Sequence, residues 1–396
     1  MNSPFSFTSL LAVAFIFSLF SCDSNIQEEV SPDITFDNVM TAFGDNIDML
    51  NLPNYANQDI PAYIDKDNTS DNEITDAGAL LGRVLFYDTK LSSDNTISCA
   101  SCHHQSLAFG DDAVASTGVN GSTGRHAMRL INARFSDEED FFWDERADNL
   151  EEQTTMPIQD HFEMGFSGQN GDPDLDSLIN RLSQQEYYNE LFTLVYGDGL
   201  ITEERMQNAL AQFIRSIVSF DSKYDIGRAS AGNNNAAFSN FSDLENEGKR
   251  LFMQRPDFNR QGVRVGGGLD CNTCHRAPEF DIDPNSRNNG ITGSFDGTPD
   301  TDVTRSPTLR DLFNTEGVVN GPFMHNGFSS NFDDVLNHYE SIAPTNNLDR
   351  RLARGRMGGT RDLNISNQER EAITAFVKTL SGSNAYTDPK WSDPFR

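Results

Sequence analysis

The chain has 396 residues, 37% hydrophobic and 10% aromatic, which is enough apolar material for two domains with ample core. Thirty lysines and arginines stand against 60 acids, a formal net charge of −30, which argues against nucleic acid and anionic membrane surfaces as partners. Such a surface steers basic partners, or serves solubility or a saline habitat.

Residues 1–22 read as a leader. Leu10 to Phe20 is apolar but too short for a mature spanning helix. Leu19-Phe20-Ser21-Cys22 resembles a bacterial lipobox, so Cys22 is the expected lipid anchor and the chain's only membrane contact. The first ten residues hold no Lys or Arg and Phe20 is bulky for its place, so a soluble exported protein is the alternative. Either way the chain leaves the cytoplasm for the periplasm or cell envelope. Residues 23–74, acidic and rich in Asn, Asp and Pro, read as a tether or loosely packed arm.

Leu81-Gly82-Arg83-Val84-Leu85-Phe86 then predicts a short helix leading into Cys99-Ala100-Ser101-Cys102-His103. Helical patterning follows over Pro173–Tyr196 and Thr202–Ser219, where Met206, Leu210, Phe213, Ile214 and Ile217 share one face. The Gly- and Asn-rich stretch Arg228–Asn240 reads as a linker. Glu247-Gly248-Lys249-Arg250-Leu251-Phe252 predicts a second short helix, leading into Cys271-Asn272-Thr273-Cys274-His275. Phe332–His338 is a helical run, and Asn367–Leu380 a last helix with Asn367 as N-cap and Ile373, Phe376, Val377 and Leu380 apolar. No strand alternation is evident, so the class is mostly α.

Cys-x-x-Cys-His is the attachment signature of a c-type haem: both thiols become thioethers and the histidine reaches the iron. The chain has five cysteines, and the two pentapeptides use all but Cys22. Two covalently bound haem c groups are expected, on Cys99, Cys102, Cys271 and Cys274, with His103 and His275 as axial ligands. The paired segments form an imperfect internal repeat. It predicts two cytochrome c-like haem domains, an N-terminal one over residues 75–228 and a C-terminal one over 241–385.

The sequence resembles the bacterial di-haem cytochrome c peroxidases and their relative MauG, over roughly residues 75–385. Phe142-Trp143-Asp144-Glu145-Arg146-Ala147 is similar to the family's Phe-Trp-Asp-Gly-Arg-Ala element, with Glu145 in the place of Gly. Gln153, Pro157 and Glu163-Met164-Gly165 follow at the family's spacing. Arg305-Ser306-Pro307-Thr308-Leu309-Arg310 and Pro322-Phe323-Met324-His325-Asn326-Gly327 match two further segments.

The resemblance implies site residues. Glu163 is placed as the proton shuttle beside an open iron face, with Gln153 as its hydrogen-bonding companion. Trp143 is placed between the two haems, where an indole can carry an electron; taken alone it is a core residue. Arg146 and Arg310 are implied to contact haem, and His325 belongs to the second haem's pocket. Typical members carry a distal histidine 16 positions after the first haem ligand, which here is Val119. Gln105 to Arg125 contains no histidine, His104 points elsewhere and His126 comes seven positions late, so the first haem is read as permanently open. Typical members place a Met 14 positions after His325; here Tyr339 stands there, as Tyr does in MauG. An anionic phenolate lowers the reduction potential and favours ferric iron; Met357 is the next methionine downstream. A calcium ion between the haems is implied on the carbonyls of Asn320 and Pro322, but His126 in the third place is a poor donor for it.

Three functions are compatible. The favoured one is hydrogen peroxide reduction at the first haem, with electrons from a small cytochrome c or cupredoxin passing through the second. Another is MauG-like, peroxide-dependent oxidation of a protein or small organic substrate. A plain electron-transfer cytochrome is the third, against which Glu163 and Gln153 argue. A homodimer is an assembly open to the chain.

Overall fold

The computed structural model describes residues 35–355 and 358–396. The leader, Cys22 and the start of the arm lie outside the described residues, as does Met357. The helices are α1 (Asp37–Phe43), α2 (Asp76–Tyr87), α3 (Leu150–Thr155), α4 (Leu175–Ser183), α5 (Glu186–Tyr196), α6 (Glu203–Ser216), α7 (Lys223–Ser230), α8 (Asp243–Met253), α9 (Phe332–Glu340), α10 (Asn367–Lys378) and α11 (Asn384–Thr387). Two small antiparallel pairs are the only named strands among the described residues. They join β1 (Pro256–Phe258) to β2 (Arg264–Gly267), and β3 (His275–Arg276) to β4 (Asp281–Ile282). The protein is therefore mostly helical, as its periodicity predicts. No described helix is long and apolar enough to cross a membrane.

One packing solution recurs in both halves. In α2, Gly82 lies so close to α6 that a Cβ there would stand 1.9 Å from the Ala209 carbonyl oxygen. In α8, Gly248 lies the same way on α10, 1.9 Å from the Ala372 carbonyl oxygen. Any side chain at either glycine would push its helix pair apart. One turn on, Phe86 meets Phe213 at 5.1 Å between ring centroids, and Phe252 meets Phe376 at 5.2 Å. The cation after each glycine is buried and bonded to backbone carbonyls: Arg83 to Ser392, Lys249 to Asn234 and Ala236. The buried stripe of α6, including Met206, Leu210, Phe213 and Ile214, is the one its sequence predicts.

Elsewhere the structure departs from expectation. Pro173–Tyr196 is two helices, because Gln185 is extended at φ −99°, ψ 111°. The N-cap of α10 is Ser366, one residue before Asn367, because Ser366 and Glu369 close a reciprocal capping box. The arm is not loose where described: Val39, Phe43, Ile47 and Tyr55 are buried, and Tyr63 donates to Asp225 at 2.8 Å. The stretch after α7 is likewise packed, with Phe238 buried and bonded through its backbone to Asn246.

Apolar side chains gather in two clusters. One runs from Val39 to Ile217 and takes in Ala385 and Trp391 from the tail; the other runs from Tyr224 to Leu380. The tail is anchored by Tyr55 and Tyr87, whose hydroxyls donate to the Lys390 and Trp391 carbonyls at 2.5 and 2.6 Å.

Candidate functional site

Each Cys-x-x-Cys-His segment is a single tight turn, Cys99–Ser101 and Cys271–Thr273, followed by its histidine. Ser98 and Ser101 cap the first turn reciprocally. The turn sets one thiol of each pair and its imidazole on a cavity wall: Cys102 with His103 on one, Cys271 with His275 on the other. All four thiols are free, and burial pushes Cys99 and Cys271 up to about 12, Cys102 and Cys274 up to about 11. Burial also pulls His103 and His275 down to about 4, so both imidazoles are neutral at pH 7. Nδ1 of His103 lies 3.2 Å from the Phe109 carbonyl, and Nδ1 of His275 lies 3.0 Å from that of Pro307. A carbonyl only accepts, so each Nδ1 carries the proton and each Nε2 keeps a lone pair. Neutral imidazoles fixed in that tautomer, beside unpaired thiols, are the donor set a c-type haem requires.

The first cavity has a volume of about 1140 Å³ and is walled by Cys102 and His103 together with Gln153, Pro157 and Glu163. Asn149 caps α3, which carries Gln153. Asp160 Oδ1 accepts from the backbone of Phe162 and Glu163 at 2.8 and 3.0 Å, closing the turn that carries Glu163. Burial first, and then the Asp160 charge, push the Glu163 carboxyl up to about 7, against the opposing pull of Arg146.

Position 119 belongs to the same distal region. The Val119 amide donates to the Glu163 carbonyl at 2.9 Å. Gly118 must be a glycine there, since a Cβ would meet the Phe162 carbonyl at 2.1 Å. Val119 Cγ2 lies against Gly165, and Val119 is not among the residues lining the cavity. His104 is also absent from that lining, with Nε2 3.8 Å from Asp111.

The second cavity is a slot of about 150 Å³ lined by Cys271, His275, Met324, His325 and Tyr339, with apolar walls from Phe252, Leu336 and Val377. Asn289 Nδ2 reaches both the Tyr339 hydroxyl, at 3.2 Å, and Met324 Sδ, at 3.4 Å. Burial pushes the Tyr339 phenol well above its ordinary range. Met324 was missed from sequence, although it lies inside the segment that carries His325.

Trp143 lines both cavities. Its indole Nε1 donates to the His126 carbonyl at 2.8 Å, and its own carbonyl accepts from Thr304 and Arg305, both at 3.1 Å. Its ring meets that of His325 at 6.2 Å. The turn around it contains Glu145 at φ +55°, with Oε1 buried and unpartnered. Left-handed backbone costs a non-glycine residue about 1 kcal/mol or more. Glu145→Gly is therefore expected to raise stability by about 1 kcal/mol, read as a higher urea midpoint at unchanged m; a lower midpoint would show that the carboxylate makes a needed contact.

Arginines other than Arg146 also gather at the first cavity. Arg125 pairs with Asp300 at 2.9 Å and Asp144 at 2.6 Å, and Asp144 pairs with Arg146 at 2.8 Å. Arg146 stacks on Phe142 at 3.6 Å and lines the first cavity. Arg129 and Arg305 line both cavities. Three arginines within residues 125–134 of so acidic a chain were the signal. Arg310 corrects an expectation. It lines neither cavity but is buried, bonded to Asp225 by two contacts of 2.9 Å and to the Pro278 carbonyl at 2.9 Å. The expected calcium donors also fit poorly. Pro322 lines the second cavity, but the Asn320 carbonyl already accepts from Arg129 Nη2 at 2.9 Å.

Residues 76–234 match the family described as "Di-haem cytochrome c peroxidase". The methylamine utilization protein MauG of Methylophilus methylotrophus is 30% identical over 321 residues, covering 78% of this chain and 84% of that protein. Cytochrome c551 peroxidase of Nitrosomonas europaea is 28% identical over 317 residues, covering 77% and 80%. Among solved structures, a MauG-like protein associated with microbial copper homeostasis superposes with a TM-score of 0.63 at 25% identity, over 86% of this chain and 99% of that one. The diheme peroxidase BthA of Burkholderia thailandensis shares the fold, with a TM-score of 0.56 at 20% identity over 84% and 92% of the two chains. This chain is a peroxidase-type oxidoreductase and belongs to the di-haem cytochrome c peroxidase family that includes MauG.

Proposed function

We propose that the chain reduces hydrogen peroxide to water at a haem held by Cys99, Cys102 and His103, with electrons arriving through a second haem held by Cys271, Cys274 and His275. The observation that carries this reading is the asymmetry of the two cavities around Trp143: Glu163 and Gln153 line the first alone, while Trp143 lines both. When bound, haem would supply redox-active iron in the first cavity, beside Glu163 and Gln153. Glu163 takes a proton from one peroxide oxygen and returns it to the other, which lets the O–O bond break heterolytically. Gln153 orients the peroxide, and Trp143 links the two redox sites. Two electrons and two protons turn one peroxide into two waters. In this reading residues 75–228 and 241–385 form the two haem domains, and export with a Cys22 anchor sets the protein beside envelope electron carriers.

Steady-state peroxide turnover with a reduced small cytochrome c and a reduced cupredoxin tests this directly. Turnover with neither would end the peroxidase reading. The open first site makes a separate prediction. The diferric protein is expected to show a high-spin ferric signal and to bind cyanide without prior reduction. Only low-spin iron in that state would place His126, or another group, on the distal face.

A MauG-like oxidation of an organic or protein substrate is the second reading, favoured by Tyr339 in the second cavity and Val119 in place of a distal histidine. If Tyr339 ligates the second iron, Tyr339→Phe is expected to raise that haem's potential and alter its ferric spectrum. If neither changes, the sixth ligand is another residue; Met324 shares the Asn289 amide with Tyr339, so Met324→Leu is the next variant.

A further inference from the structure

The space between the two cavities holds a guanidinium where a calcium ion was expected. Calcium takes about six to eight oxygen ligands, and the oxygens of Asn320 and Asp311 here are already engaged, which leaves the Pro322 carbonyl as the one expected donor without a bonded partner among the described residues. The Asn320 carbonyl accepts from Arg129 Nη2 at 2.9 Å. The Asn320 amide donates away from that point, to the Asp311 carbonyl at 2.8 Å and the Tyr386 hydroxyl at 2.6 Å. The Asp311 carboxylate is held by the Ser219 hydroxyl at 2.6 Å and the Gly382 amide at 2.9 Å. His126 adds no oxygen, and its Nδ1 donates to the Ala113 carbonyl at 2.8 Å.

Arg129 is built into this place. It lines both cavities, as do His126 and Trp143. Among the described residues only its Nη2 meets a protein acceptor, and its Nε is buried without one. Gly110 lies beside it, where a Cβ would stand at ordinary contact distance, 3.6 Å from both Nε and Nη2. Burial pulls the Arg129 guanidinium below its usual range and the Asp311 charge opposes that; a guanidinium nonetheless keeps its proton in proteins, and a chelator cannot remove it.

We infer that Arg129 is the fixed cation between the two haem sites and that the protein holds both haems without calcium. The inference rests on the di-haem reading, but calcium content is measured independently of peroxide chemistry and of haem count.

The test uses the holoprotein, purified in calcium-containing buffer and then desalted. Elemental analysis is expected to find well under one calcium per chain, and EGTA should leave the absorption spectrum and both midpoint potentials unchanged. One retained calcium, or an EGTA-induced shift, overturns the proposal. Arg129→Gln supplies the second arm. Loss of a positive charge favours the more positive, oxidised iron, so both midpoints should move negative, while Arg129→Lys should largely keep them. A shift confined to one haem, or none, overturns the shared-cation role. If Arg129→Gln does not fold, the wild-type calcium and EGTA results decide the matter alone.

Discussion

The Cys99→Ala, Cys102→Ala double variant is expected to carry one haem instead of two, read as a single haem addition in the mass of the denatured protein. The four thiols are unpaired and burial keeps them protonated, so no disulfide competes for them. Each pair shares one turn with a neutral imidazole whose Nδ1 is tied to a carbonyl. Removing the first pair leaves His103 able to ligate but nothing to hold the macrocycle through denaturation. The cavity beside it, about 1140 Å³, draws its walls from the first apolar cluster, so stability should fall as well. Folding stabilities of about 5–15 kcal/mol leave little margin for losing so large a bound group. Peroxide turnover should vanish while the second haem's spectrum persists. Two haems retained in the double variant would overturn the attachment, and with it the assignment of the first site.

What could be read in the sequence was local. A Cys-x-x-Cys-His run is one turn, and its chemistry is complete within five residues. Gly82 and Phe86 announce a helix face one turn long, and the stripe on α6 is set by period alone. Even the error at α10 was local: Ser366 and Glu369 at the capping-box spacing outweigh Asn367.

The rest depended on partners far away in the chain. Nothing local to Trp391 points to its partner: its indole reaches Ser216, 175 positions earlier. Arg310 looked like a haem contact because its segment borders the second site; its fate was decided by Asp225, 85 positions away, which satisfies it inside the protein. The arm reads as solvated by composition, but Val39, Phe43 and Tyr55 bury against α5 and the tail. Arg129 could be noticed as a cation in an acidic chain, but not seated on the Asn320 carbonyl, 191 positions on. Periodicity and spacing report neighbours within a few turns, whereas a site between two halves is assembled by contacts they do not encode.

Glu163→Gln is expected to keep both haems and slow the reaction with peroxide by about 10²–10⁴, the usual scale of positioned acid–base groups. Gln preserves shape and removes only the ability to exchange a proton. The wild-type carboxyl has its pKa raised from an ordinary 4.5 to about 7, so near neutral pH it can both accept and return one. The accepting form is the carboxylate, so the wild-type rate should rise with pH through about 7 and level off above it. The Gln variant should be flat across that range. Stability should move the other way. Between 4.5 and about 7 the folded protein keeps a proton that the unfolded chain has released, so raising the pH through that window costs the native state. Glu163→Gln should remove that part of the slope and leave the variant at least as stable as the parent at pH 7. A slow, pH-flat variant with intact haems assigns the proton transfer to Glu163. Unchanged peroxide reactivity would make Glu163 a wall of the cavity and nothing more.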